Sequence, residues 1–314
     1  MNKVGSLTVC KDEEACIVFC IASLIDYVDH YVVVDSGSTD KTLFLIKKMF
    51  AKDLKEGKLR LIEYGALPDY DISKPKNIGI AALKETGCDY FIRLDADDVF
   101  YREGAQKAVE IARNLDPSVT MFCINHWELY QYKLQNTSEW LDAIESDVSG
   151  MDTDYNGGQF MCLRIPPGGD PRPHMFPKRF EGSYGHARIY KTQGAVSIGK
   201  WTDEAWGVGP GEDIAHPGMK KVCIGNNGEE WIVHYGWARP MDKKLNKMST
   251  WEGEGKERQD PRVDTIHEKW KFVNIPNMDK ITYGNQCWPH NVVFPFNDHP
   301  EVFHEYYDRN WEPH

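Results

Sequence analysis

Apolar and polar positions alternate in short blocks along the first third of the chain. "LTVC" (7–10), "YVVVD" (31–35), "KLRLIEY" (58–64) and "DYFIRLD" (89–95) are apolar runs of strand length. Longer stretches with helical spacing stand between and after them: "DEEACIVFCIASLI", "KTLFLIKKMFAKDL", "KPKNIGIAALKETG" and "REGAQKAVEIARNL". The first carries acids in its opening turn, where the helix dipole favours them. Ser38, Thr39 and Asp40 are N-cap candidates for the second, and Pro75 and Gly87 bracket the third. Strand and helix alternating four times predict right-handed crossovers and a mainly parallel, Rossmann-like α/β sheet flanked by helices.

The rhythm breaks after residue 116. "VTMFCIN", "QFMCLRI", "ARIYK" and "EWIVHYG" have the pattern of strands, separated by Gly- and Pro-rich loops such as "RIPPGGDPRPHMFP". Residues 241–314 are rich in aromatics and Pro and are expected to form a loop-rich C-terminal extension packed on the domain.

Sheets of this kind bind ligands beyond the carboxyl ends of their strands. Asp35 and Asp95 both stand at such ends, the first leading into "DSGSTD", the second into "DADD". Asp95 and Asp97 point the same way if the backbone stays extended. Carboxylates this close repel one another unless a cation lies between them, and hard oxygen donors suit Mg²⁺ or Mn²⁺. The alternative is a solvated acidic turn.

Composition narrows the partners. A net charge of −11 disfavours a nucleic-acid backbone, whose binding rests on Lys and Arg neutralising phosphates. No run of about 18 apolar residues appears, so no integral membrane segment is expected. Eight cysteines lie mostly inside apolar runs with no CxxC pair, which predicts buried thiols in a reducing compartment and a cytoplasmic protein.

In order and spacing, "VCKDEEACIVFCIASLIDYVDHYVVVDSGSTDKT", "KPKNIGIAAL" and "YFIRLDADD" resemble the nucleotide-sugar half of family 2 glycosyltransferases of the GT-A fold. The resemblance is close over residues 5–115 and looser over 116–240. It implies a domain at 1–240, with a nucleotide-sugar half (1–115) and an acceptor half (116–240), followed by the extension at 241–314. It also assigns roles. Asp35 matches the acid that recognises the nucleotide base, although Ser36 replaces the second acid of the commoner pair. Lys76 and Asn77 match the motif lining the nucleotide pocket. Asp95 matches the first acid of the DxD pair, near ribose and metal, and Asp97 matches the direct metal ligand. Glu13 occupies the place of an acid after the first strand. "ARIYKTQGAVSIGKWTDEAW" resembles the segment that ends in an acid near the acceptor, which implies Glu204, then Asp203, as general base, with Asp213 as fallback. "IVHYGWARP" resembles the late strand whose histidine completes the metal shell, so His234 would join the aspartates and Arg239 would reach the diphosphate. The implied reaction is an inverting, Mn²⁺- or Mg²⁺-dependent transfer from a nucleoside-diphosphate sugar, a UDP-sugar favoured, to a glycan or other hydroxyl acceptor.

Two rivals remain. A nucleotidyltransferase acting on sugar phosphates shares the aspartates and the sheet, but such enzymes carry a Gly- and basic-rich loop where "CKDEEAC" is acidic. A non-catalytic binder of nucleotide sugars or glycans would not need both the DADD turn and His234. "GAVSIGKW" has P-loop spacing, yet Trp201 stands where Ser or Thr should hold Mg²⁺, and no GxGxxG opens the first helix. Trp201 and Trp206 flank the candidate bases as an acceptor platform would.

Overall fold

The structure is a computed structural model. It describes residues 1–67, 71–133, 152–155, 158–165, 186–198, 214–219, 223–237, 282–283, 286–287, 292–293 and 300–302. The chain divides into two compact units. One comprises Met1–His126, Lys178–Val233 and Pro300–His314; the other comprises Trp127–Pro177 and His234–His299.

The first unit begins with β1 (Val4–Cys10), α1 (Ile17–Ala22), β2 (His30–Asp35), α2 (Thr42–Met49), α3 (Ala51–Glu56) and β3 (Leu59–Glu63). It continues with α4 (Ser73–Glu85), β4 (Tyr90–Arg93), β5 (Asp98–Phe100) and α5 (Arg102–Asn114). Strand β6 (Met121–Lys133) then runs on into the second unit, which holds β7 (Asp152–Tyr155) and β8 (Gly158–Ile165). Strands β9 (His186–Lys191), β10 (Val196–Ser197) and β11 (Ile214–Ala215) return to the first unit, and β12 (Cys223–Trp237) crosses the division again. Short strands β13 (Thr282–Tyr283), β14 (Gln286–Cys287) and β15 (Val292–Val293) belong to the second unit.

In the first unit, β1 pairs in parallel with β2 and β4, and β2 with β3. The register sets Cys10 beside Asp35 and Asp35 beside Glu63, so the loops after these strands open on one edge of the sheet. Beyond β4 the direction reverses: β9 is antiparallel to β4, and the start of β6 is antiparallel to β9. In the second unit β8 is antiparallel to the end of β6, to β7 and to β15.

Alternation along the parallel strands feeds two cores, as a sheet covered on both faces requires. Leu7, Val32, Val34 and Phe91 pack with Ile80 and Leu83 of α4. Val4, Tyr31, Val33, Tyr90 and Ile92 pack with Ile17, Ile21, Ala105 and Ala108 of α1 and α5. Gly79 allows α4 its close approach, since a Cβ there would stand 2.2 Å from Leu7 Cδ1.

Three expectations are corrected. α1 is six residues long with no acid in its first turn, because residues 12–14 form a loop whose side chains bind neighbouring backbone. The helix expected over "KTLFLIKKMFAKDL" breaks at Phe50 into α2 and α3. Asp95 and Asp97 do not lie on extended backbone: the Asp98 N–H donates to the Asp95 carbonyl at 2.9 Å, which makes a turn. The described cysteines 10, 16, 20, 88 and 123 are buried thiols outside any disulfide.

Candidate functional site

The loops after β1 and β2 are bound to each other by side chains that accept backbone N–H groups. Asp12, in the left-handed region at φ 55°, accepts from Thr39 N–H at 2.6 Å and Asp40 N–H at 3.3 Å. In return the Asp12 N–H donates to Ser38 Oγ at 2.9 Å, and the Glu13 N–H donates to Thr42 Oγ1 at 2.8 Å. The Glu14 N–H donates to Asp40 Oδ2 at 3.1 Å and Glu14 Oε2 accepts the Lys41 N–H at 3.1 Å, while Asp40 also accepts the Thr42 N–H at 2.9 Å, doing at the head of α2 what a cap does. Asp35 lies at the centre, 1% exposed. Its Oδ1 accepts the Gly37 and Ser38 N–H groups, each at 3.0 Å, while Oδ2 accepts the Ser38 hydroxyl and the Cys10 thiol. A carboxylate offers about four acceptor sites, and here four donors use them. Gly37 sits at φ +94°, and a Cβ would meet Ala66 N at 2.7 Å, which explains glycine in "DSGS". Burial first, then the nearby Asp35 charge, pushes the Cys10 thiol well above its usual range, so it stays a donor.

The turn after β4 carries the second group of acids. Asp97 and Asp98 are buried, and their carboxylates offer oxygens within 4.8 Å of one another. Asp95 accepts Arg93 at 2.7 Å on Oδ1 and Arg188 at 2.8 Å on Oδ2. The same Arg188 guanidinium reaches Asp98 Oδ2 at 2.8 Å, so one buried fork from β9 bridges two carboxylates of the turn. Asp98 Oδ2 also accepts the Asp95 N–H at 3.2 Å. Burial alone would raise the Asp95 carboxyl, but Arg93, Arg188 and Lys76 outweigh it and hold it well below the usual carboxylate range. Helix α1 supports the turn from inside: the Cys20 thiol donates to the Asp95 carbonyl at 3.3 Å, and the Phe100 N–H donates to Ser23 Oγ at 3.2 Å.

The closely spaced oxygens of the buried Asp97 and Asp98 are hard donors that fit a divalent cation such as Mg²⁺ or Mn²⁺. Beside the turn, Leu7, Val9, Ile72, Lys76, Arg93, Leu94 and Asp95 line a cavity of about 50 Å³. That is well below the roughly 300 Å³ or more of a full ligand pocket. Its walls are apolar and its charged groups are Lys76, Arg93 and Asp95.

Of the residues singled out in the sequence, Lys76 and Asp95 meet at this cavity, and Asp97 lies on the same turn as Asp95. Asp35 and Glu13 belong to the loops after β2 and β1. Asn77 faces elsewhere: both ends of its amide bond the Ser197 backbone. His234 is half-buried on β12 and begins the second unit's part of that strand. Asp203, Glu204, Asp213, Arg239, Trp201 and Trp206 lie outside the described residues. Sequence reasoning missed Arg93, Arg188 and the structural use of Asp98. The available signal was an arginine inside each of the apolar strands "FIRL" and "ARIY", since a buried guanidinium requires a carboxylate.

Residues 7–162 match the family model described as glycosyl transferase family 2. No curated protein matches the chain. Among matching solved structures is TarS 1-349 of S. aureus, at 13% identity and a TM-score of 0.42, over 90% of this chain and 76% of that one. Another is glucosyl-3-phosphoglycerate synthase from Mycobacterium tuberculosis in complex with Mg²⁺ and UDP, at 14% identity and a TM-score of 0.40, over 81% and 79%. The mannosyltransferase PcManGT from Pyrobaculum calidifontis, in complex with GDP-Man and Mn²⁺, matches at 22% identity and a TM-score of 0.32, over 40% and 36%.

Proposed function

Starting from the match of residues 7–162 to the family described as glycosyl transferase family 2, we propose that the chain transfers a sugar from a nucleoside-diphosphate sugar, with a UDP-sugar as the favoured donor, to a hydroxyl of a glycan or similar acceptor. The observation that carries this reading is the buried Asp97–Asp98 pair at the carboxyl end of β4, next to a cavity that offers Lys76 and Arg93. Asp97 and Asp98, with His234 as a nitrogen donor, form the set proposed to hold Mg²⁺ or Mn²⁺. A cation held there would neutralise charge growing on the departing diphosphate. Asp95, kept ionised by its arginines, is proposed to face the ribose. Lys76 would offer its ammonium to the donor's phosphates, and Arg239 is proposed to act on the same diphosphate. The loops pinned by Asp35, the first of which carries Glu13, are proposed to present the base-binding edge. Glu204, then Asp203, with Asp213 as fallback, is proposed to take the acceptor proton as the hydroxyl attacks, which inverts the anomeric centre.

Among the described residues, no helix is long and apolar enough to cross a membrane. The test is release of nucleoside diphosphate from a panel of UDP-, GDP- and dTDP-sugars with Mn²⁺ or Mg²⁺. The expected result is slow, metal-dependent hydrolysis of one donor class, reduced at least ~100-fold in Asp97→Ala, as removal of an electrostatic stabiliser does. Absence of both hydrolysis and metal-dependent donor binding across the panel would overturn the reading. The acidic "CKDEEAC" loop, bound to the next loop through its own carboxylates, continues to oppose nucleotidyl transfer.

A further inference from the structure

Helix α4 serves two places. Lys76 lines the cavity beside Asp95. The next residue, Asn77, turns to β10: its Nδ2 donates to the Ser197 carbonyl at 3.0 Å, and its Oδ1 accepts the Ser197 N–H at 2.8 Å. Seven residues on, two turns along the same face, Lys84 Nζ donates to the Ala195 carbonyl at 3.2 Å. Ser197 is in turn paired with Ile214 across the β10–β11 hairpin, so the chain leaves this hairpin at Ser197 and returns to it at Ile214. Residues 198–213, which include Asp203 and Glu204, connect those two points.

We propose that Asn77 is a positioning residue, not a nucleotide contact: it ties the helix carrying the donor-side Lys76 to the hairpin from which the acceptor-side acids depart. The inference rests on the family 2 reading of those acids. Its physical basis is the directionality of the tie. One amide that donates to and accepts from the same residue's backbone fixes both the distance and the rotation of β10 against α4. Ser197 is buried, which limits competition from water. The hairpin has two residue pairs, a short ladder; Ala195 and Ile214 anchor it in the core, and the bonds from α4 fix its edge at Ser197. α4 is packed on the sheet through Ile80, Ala82 and Leu83, so loss of the Asn77 tie is expected to move β10 and to leave Lys76 in place.

The test compares Asn77→Ala and Asn77→Asp with wild type in the full chain. Asn77→Asp keeps the acceptor for the Ser197 N–H but sets a carboxylate oxygen against the Ser197 carbonyl. Three quantities are read: hydrogen exchange in peptides covering 192–198 and 214–219, calorimetric affinity for UDP with Mn²⁺, and KM and kcat for hydrolysis of the donor found by the panel above. Loss of two directional hydrogen bonds should speed exchange at the hairpin about tenfold in Asn77→Ala, and less in Asn77→Asp. UDP affinity and donor KM should stay within about twofold of wild type while kcat falls at least about fivefold. UDP affinity falling with unchanged exchange would make Asn77 a nucleotide contact and overturn the proposal. Faster exchange with unchanged kcat would reduce the tie to a structural one and overturn it equally. A wild type that binds and hydrolyses no donor sinks the proposed function, and the positioning role with it. That outcome is distinct, because the other two are read in variants of an active wild type. Should Asn77→Ala fail to fold, Lys84→Gln removes the neighbouring tie alone and is expected to move exchange and kcat in the same direction by a smaller factor.

Discussion

Arg188 reaches two acids of one turn with a single guanidinium, 2.8 Å to Asp95 and 2.8 Å to Asp98, in a place where its side chain is 4% exposed. Removing one partner of a buried ion pair leaves charge with nothing to offset it, and that loss exceeds the net worth of the pair. Arg188→Met is therefore expected to lower unfolding stability by about 3–5 kcal/mol, read from urea midpoints, with Arg188→Lys losing less because the charge remains. Asp35 has a comparable structural claim. Asp35→Ala would strand the Gly37 and Ser38 N–H groups and the Cys10 thiol, at a cost of about 1–3 kcal/mol read from the melting temperature. A melting temperature unchanged by Asp35→Ala would mean that the loop does not depend on this carboxylate.

Elements position these residues through packing that the helical pattern only partly reveals. α1 is buried nearly all round, with Ile17, Val18, Phe19, Cys20 and Ile21 inside, so it lacks the polar face that would mark its ends, and its predicted length is too long. α4 shows the opposite case, with its span, Pro75 near the start and Gly87 at φ +74° after its end all visible beforehand. What was not visible is how near it lies to β1. Gly79→Ala would force Leu7 aside or lift the helix, an overpacking expected to destabilise by about 1–3 kcal/mol and checked by denaturant unfolding. Because α4 also carries Lys76 and Asn77, the same variant should disturb both the cavity and the hairpin. An unaffected exchange rate at Ser197 would show that the leucine yields instead.

At the scale of the molecule, two groups predict how stability responds to acid. Burial lowers the His216 imidazole below its ordinary value, only partly opposed by its hydrogen bond to the Lys191 carbonyl at 2.7 Å. The folded protein then binds fewer protons than the unfolded chain once pH falls below about 6.5, so stability declines from there downward and levels off beneath the folded value. Burial raises the Asp29 carboxyl, but bonds from Arg113 and the Val4 N–H outweigh it and leave it lowered. Its contribution is complete above the unfolded value of about 3.9 and is lost as pH falls through the lower folded value. Melting temperature measured from neutral to strongly acid pH should fall in an upper stage, flattened by His216→Gln, and a lower stage that Asp29 shares with Asp95 and that Asp29→Asn reduces in part. A flat profile down to pH about 5 would contradict the His216 assignment.

The division of the chain is also a whole-molecule property: units exchange at residues 126/127, 177/178, 233/234 and 299/300, and two of these, 126/127 and 233/234, fall inside the continuous strands β6 and β12. By itself the sequence overran α1, joined α2 to α3 and did not show β5, but it determined β1 to β4, α4 and α5 to within a few positions, the edge on which their loops open, and the acids those loops carry. These are local matters, written in periods of two and of three to four residues and in single Gly and Pro positions. Tertiary structure alone decided which charges meet. Arg188 and Asp95 are 93 residues apart, joined because β9 runs antiparallel beside β4, and Asn77 meets Ser197 across 120 residues. Such pairings depend on strand order, which no local period encodes. That is why the acidic turn was legible in advance, and the arginine that organises it and the amide that ties its neighbour were not.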